Sequence, residues 1–302
     1  MEQPSKQASS ISKWLKLVLK IAVMAVCLWY VSGKIDFEKS KTVLQHSNWP
    51  LLFTALILFV VSKLVSAIRL NIYFKNISIA LSETQNIRLY LLGMFYNLFL
   101  PGSVSGDAYK VLLLTKRYAI PYKKTTSAVL LDRFSGLLGL GILLVICSHF
   151  VLNSIYSVTI TAITIGSIIG FYYIVKHWFK DFIPGFWSTL LLGILVQAAQ
   201  VVCIYMIMLS LGVDKNHTAY IFIFLVSSVV SVLPLTIGGL GIREVVFLEG
   251  AAYFSLDSET SVIISLLFYL ITLVVSAIGA WYIFNNPLKK KGPVEESFTL
   301  KP

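Results

Sequence analysis

Charge is scarce in this 302-residue chain: 13% of its residues are Asp, Glu, Lys or Arg, against 57% that are hydrophobic. With a mean hydropathy of +0.81, that scarcity excludes a soluble globular domain and points to an integral membrane protein. Long polar stretches are lacking too. The longest that would lie outside a membrane, Gly33 to Trp49 and Asn285 to Pro302, are each too short to bury a core, so no soluble catalytic domain is expected. Cysteine is rare. Cys27, Cys147 and Cys203 all fall in apolar runs, where a free thiol behaves as a small hydrophobe, and neither a disulfide nor a metal site is expected. His46, His149, His177 and His217 stand near segment ends without ligand spacing. No phosphate-binding loop of the Gly-x-x-x-x-Gly-Lys-Ser/Thr type occurs, and no cofactor is expected.

What is present is a series of apolar segments. Lys6, Lys13, Lys16 and Lys20 lead into a stretch from about Trp14 to Val31, which reads as an uncleaved anchor because its apolar part exceeds the usual signal-peptide length. Further spans run from about Pro50 to Leu70, Thr126 to Val151, Val158 to Lys176, Phe186 to Leu211 and Ser261 to Phe284. Two other apolar segments, Leu89 to Leu100 and Ala219 to Leu233, would make only about 18 and 22 Å of helix. A bilayer core of about 30 Å needs more.

Both short segments end in a break, and the breaks resemble each other. Leu100-Pro101-Gly102-Ser103-Val104-Ser105-Gly106 leads to Lys110, and 133 positions later Leu233-Pro234-Leu235-Thr236-Ile237-Gly238-Gly239-Leu240-Gly241 leads to Arg243. Proline and clustered glycine free backbone groups that hydrocarbon cannot satisfy, so such turns belong inside protein or beside a water-filled cavity. Paired interrupted segments in two halves of a membrane chain are a pointer to a transport site. Pro101, Gly102, Gly106, Pro234, Gly238, Gly239 and Gly241 are therefore expected in two re-entrant turns.

Charge placement supports re-entry. With the N-terminus cytoplasmic and both short segments turning back, most cations, including Lys110, Lys116, Arg117, Lys123 and Lys124, face the cytoplasm. Letting the first short segment cross would export those five, against the positive-inside rule. The expected architecture is an all-α polytopic membrane domain with six full spans and two re-entrant helical hairpins, arranged as an inverted repeat. Repeat one covers about 13–151 and repeat two about 158–286, with a cytoplasmic tail at 287–302 and both termini inside a plasma or inner membrane. The net charge of +11 reads as topology and attraction to anionic lipid, not as nucleic-acid binding.

Polar residues inside the spans are the site candidates. Pro50 and Pro184 correspond at a shift of 134, as do Lys63 with Gln197 and Ser66 with Gln200. A cation at a helix centre costs roughly 2.5 to 3.5 kcal/mol, so Lys63 either faces the bundle interior or snorkels toward the end marked by Arg69. Gln197 and Gln200 either join helices by hydrogen bonds or line a path. Asp132 and Arg133 diverge by about 100° on their helix and need partners elsewhere, for which Asp107 and Lys110 are candidates. That network, like Arg243-Glu244, has a structural and a substrate-contacting reading. Asn97 completes the set.

The run from Asn97 to Lys110, Asp132-Arg133, and Pro234 through Gly238-Gly239-Leu240-Gly241-Ile242-Arg243-Glu244 resemble the flippase-like family, which comprises the transmembrane domain of bacterial lysylphosphatidylglycerol synthases and stand-alone relatives. The similarity runs from about Lys13 to Asn286. Lys110 departs from the family pattern, which more often has arginine there, and a lysine does not make arginine's bidentate phosphate contact. The resemblance implies movement of a lipid between leaflets, the modified lipid in the two-domain synthases. The cationic candidates favour an anionic or phosphate-bearing head group, which a lysyl-modified phospholipid, an isoprenoid-phosphate sugar and a plain phospholipid all satisfy. The alternative is a non-transporting subunit that supports a lipid- or glycolipid-modifying enzyme. An enzyme is not expected, since the aminoacyl-transferring domain of the two-domain synthases has no counterpart in this sequence.

Overall fold

The structure is a computed structural model that describes residues 6–34, 36–99, 104–233, 236, 238–285 and 287–288. Pro101, Gly102 and Pro234 lie outside the described residues. Among the described residues every regular element is helical. α1 spans Lys6–Ser32, α2 Phe37–Gln45, α3 Trp49–Asn76, α4 Glu83–Phe99, α5 Ser105–Tyr118 and α6 Tyr122–Val151. α7 spans Ser154–Trp178, α8 Phe186–Ser210, α9 His217–Val232, α10 Ile242–Phe254 and α11 Ser258–Ala277, the last continuing through a 3-10 turn to Phe284.

Five helices are long and apolar enough to cross a bilayer: α3, α6, α7, α8 with its preceding 3-10 turn, and α11 with its extension. α1, expected as a sixth span, is a 27-residue helix whose described apolar part, Ile21–Ser32, is shorter. The chain is a multi-pass membrane protein. Its outer surface agrees: Ile155, Val158, Ile163, Ile165 and Ile169 of α7 are exposed, which is stable only against hydrocarbon.

Local chemistry sets the helix ends. Pro50 occupies the first turn of α3, where its missing N–H costs nothing. Asp36 caps α2 by accepting from the Glu38 and Lys39 amides, and Asp257 caps α11 through the Thr260 amide at 2.9 Å. At α10 the Glu244 carboxylate reaches back to the Gly241 amide at 2.6 Å.

Without a hydrophobic drive between helices in lipid, close packing depends on small residues. α6 meets α8 at Gly139 and Gly193, where a Cβ on Gly139 would come within 2.5 Å of the Gly193 carbonyl carbon. α3 and α8 pack along one another at the centre. α4 and α5 form an antiparallel hairpin in which a Cβ on Gly106 would lie 1.9 Å from the Gly93 carbonyl oxygen, and α9 and α10 form a second, with Gly250 against Ile223.

Contacts at the bundle's two ends locate both hairpins. At one end the Tyr118 hydroxyl donates to the Ala80 carbonyl at 3.2 Å and Lys124 pairs with Asp181 at 2.7 Å, which brings together the α3–α4, α5–α6 and α7–α8 connections. At the other, the Asn48 amide donates to the Ser210 carbonyl at 2.8 Å, and Lys39 pairs with Asp257 and with Glu259. The α4–α5 hairpin thus starts and finishes at the first end, and the α9–α10 hairpin at the second.

The two breaks differ in detail. Gly238, Gly239 and Gly241 take positive φ of 64°, 86° and 88°, a conformation that favours glycine. Gly106, expected in the equivalent turn, instead sits inside α5. Its missing Cβ serves close approach to α4, not a backbone bend.

Candidate functional site

Between the hairpins and the spans lies a cavity of about 380 Å³. α3 contributes Lys63, Ser66 and Arg69, spaced so that all three fall on one helical face. α4 supplies Tyr90 and Asn97, α6 Arg133 and Gly136, and α8 Gln197 and Gln200. The second hairpin and its turn add Ser228, Ser231, Thr236, Gly238, Gly239 and Arg243, while α11 adds Thr272 and Ser276.

Seven of the eleven polar candidates from the sequence line this space: Lys63, Ser66, Asn97, Arg133, Gln197, Gln200 and Arg243. The other four, Asp107, Lys110, Asp132 and Glu244, stand behind the wall and hold it. Asp107 accepts from Lys110 at 3.0 Å and pairs with Arg133. Asn97 accepts from the Gly106 amide at 2.8 Å, which fastens α4 to the start of α5. Glu244 accepts from the Ser265 hydroxyl at 2.8 Å as well as from Gly241. Gln197 donates to the Gly136 carbonyl at 3.3 Å, so it both joins helices and lines the cavity.

Asp132 does not pair with Lys110 as expected. Its partner is Arg69, whose Nε donates to Oδ1 at 2.8 Å between α3 and α6. The sequence places Arg69 near a helix end and so hides its burial to 5% exposure. Its spacing of three from Ser66 and six from Lys63 is the signal that would have joined it to the same face. Tyr90, Ser228, Ser231, Thr236, Thr272 and Ser276 are also absent from the expected set, because hydroxyl groups are common in helices of every environment.

The cavity is electrostatically one-sided. Lys63, Arg69, Arg133 and Arg243 line it, and among the described residues no carboxylate does. Lys63 has no ion pair among the described residues; its Nζ lies 4.5 Å from the Phe59 ring centroid. Arg243 rests 4.9 Å from the Phe268 centroid and 5.8 Å from that of Phe224. Nη1 of Arg69 and Nη1 of Arg243 are buried without hydrogen-bond partners among the described residues. Buried donors are normally satisfied, so these nitrogens call for an acceptor.

A narrow apolar crevice of about 80 Å³ adjoins the cavity, sharing Lys63 and Tyr90 with it and extending past Ile87 and Val275 to the exposed Leu64 and Ile278. Polar cavity and lipid-facing surface thus meet at Lys63.

The family described as the lysylphosphatidylglycerol synthase TM region matches residues 17–178 and 175–279. The chain belongs to that family. It is also 20% identical to the UPF0104 membrane protein PH1989 of Pyrococcus horikoshii, over 90% of this chain and 94% of the relative. Family membership ties the chain to membrane lipid metabolism or transport.

Proposed function

We propose that this protein moves a lipid with an anionic, phosphate-bearing head group between membrane leaflets, with the head in the cavity and the acyl chains toward the bilayer. The observation that carries this reading is a cavity lined by Lys63, Arg69, Arg133 and Arg243 with no lining carboxylate among the described residues. A cation without an anion is costly inside a membrane, and a bound phosphate offsets that cost. Arginine and lysine are also the side chains suited to phosphate recognition. The crevice beside Lys63 gives the chains a route to lipid.

In this reading the α4–α5 and α9–α10 hairpins are re-entrant from opposite faces. α4, α5, α9 and α10 have 17, 14, 16 and 13 residues, at most about 26 Å each. Each hairpin also returns to the end from which it starts. α3 through α6 then correspond to α8 through α11 as an inverted repeat, with the central α3–α8 pair made of counterparts. With α1 taken as a sixth crossing, the positive-inside rule favours both termini on the cytoplasmic side of a plasma or inner membrane. We assign no reaction, because Asp107, Asp132 and Glu244 are all engaged in holding the wall.

Leaflet-resolved movement of labelled lipids in liposomes containing the purified protein tests this function. Protein-dependent movement of anionic lipids faster than zwitterionic ones is expected. No protein-dependent movement of any lipid would leave the chain as a subunit supporting a lipid-modifying enzyme.

A further inference from the structure

The charge in and directly behind the cavity wall is specific enough to narrow the head group. Lys63, Arg69, Lys110, Arg133 and Arg243 supply five cations against the three carboxylates Asp107, Asp132 and Glu244, an excess of two. The undescribed residues of the two breaks, Leu100, Pro101, Gly102, Ser103, Pro234, Leu235 and Ile237, carry no ionisable side chain to alter that balance. None of the three carboxylates reaches the cavity surface.

The donors give the same result independently of charge. Among the described residues, Nη1 of Arg69 and Nη1 of Arg243 have no hydrogen-bond partner and the Lys63 ammonium has no ion pair. Three donor groups on two helices, Lys63 and Arg69 on α3 and Arg243 on α10, therefore await acceptors. A phosphodiester carries one negative charge and two unesterified oxygens. A phosphomonoester carries close to two charges at neutral pH and three such oxygens. Only the second matches both the excess charge and the donors.

We infer, resting on the transport reading above, that the cavity selects lipids ending in a phosphomonoester. It rejects head groups bearing an ammonium, which would enter a cationic site with no carboxylate to meet them.

The test uses the full chain in phosphatidylcholine nanodiscs. Thermal stabilisation and binding are measured with added phosphatidic acid, a monoester, and with phosphatidylglycerol, a diester, at twice the mole fraction so that surface charge is matched. Inorganic phosphate alone and lysyl-modified phosphatidylglycerol complete the set. Phosphatidic acid is expected to bind about tenfold more tightly than phosphatidylglycerol, as one further charge at this depth implies. The lysyl lipid should give no stabilisation. Inorganic phosphate should bind more weakly than phosphatidic acid because it lacks chains for the apolar crevice. Lys63→Met should reduce the preference for the monoester.

Equal binding of the two phospholipids, or binding of the lysyl lipid, would overturn the inference while leaving an anion-binding cavity intact. Inorganic phosphate binding as tightly as phosphatidic acid would overturn the lipid assignment. If no anionic lipid bound better than phosphatidylcholine, the transport reading would fall with it.

Discussion

Lys63 and Arg243 share one aromatic cluster: Lys63 Nζ stands 4.5 Å from the Phe59 centroid, the Arg243 guanidinium carbon stands 4.9 Å from that of Phe268, and these two rings meet edge to face at 5.5 Å. The ring faces partly compensate the cations, by about 0.5 to 2 kcal/mol each. That is less than the penalty for an isolated charge at this depth, so both residues remain poised for an anion.

Lys63→Met keeps most of the bulk and removes the charge. The variant is expected to fold with unchanged or raised thermal stability, because an unpaired buried cation is gone. Its preference for anionic over zwitterionic lipid should fall about tenfold in the liposome assay. Unchanged preference would make Lys63 a packing residue.

The Arg69–Asp132 pair predicts the opposite pattern. Asp132→Asn strands the Arg69 guanidinium and should cost about 3 to 5 kcal/mol, read as a large drop in melting temperature. Replacing both partners, Arg69→Met with Asp132→Leu, should restore most of the stability and abolish transport. A double variant as unstable as the single one would count against the pair.

Gly106 and Gly239 should respond differently. Gly106→Ala drives a Cβ into the Gly93 carbonyl and should cost about 3 kcal/mol or more by forcing α5 off α4. Gly239→Ala meets only the Ser231 side chain at 3.1 Å or more, plus a strain of about 1 to 3 kcal/mol from its positive φ. Unfolding in detergent compares them. Equal losses would contradict the close α4–α5 approach.

Outside the membrane, Lys39 clasps α2 to the α10–α11 junction through Asp257 and Glu259. Burial alone would raise the Asp257 carboxyl, but hydrogen bonds from Lys39 and Thr260 outweigh it and hold the group at about 2, while the same carboxylates raise Lys39. A depressed acid stabilises above its unfolded value and loses that contribution as pH falls toward the folded one. A raised lysine stabilises below its unfolded value and loses its contribution as pH rises past it. The clasp is therefore expected to be intact from about pH 5 to 9, with α2 loosening below about pH 4. Hydrogen exchange across Phe37–Gln45 reads this, and Asp257→Asn should raise exchange only modestly, since half-exposed pairs are worth less than about 1 kcal/mol.

Sidedness is tested by single cysteines. Those placed at Lys116 and Lys123 should react with an impermeant reagent only from the cytoplasmic face, and one at Lys215 only from outside. External labelling at Lys123 would exclude re-entry of the first hairpin.

Class and apolar segments were legible in the chain because hydrocarbon imposes its length and polarity on every span, and the family was legible in the Pro/Gly breaks and the charged residues that follow them. The sequence also singled out Lys63, Ser66, Gln197 and Gln200 as polar groups in long apolar helices, but left Lys63 to face inward or to snorkel until the packed helices put it in the cavity wall. Partnership was decided only by tertiary structure. Arg69 looks like a helix-end cation until the crossing of α3 and α6 delivers Asp132 to it. Gly106 reads as a turn glycine until α5 begins before it and presses it on Gly93. Likewise Asp107, Asp132 and Glu244 are indistinguishable in sequence from cavity ligands. Helix packing turns all three behind the wall, and it is their withdrawal that leaves the cavity positive.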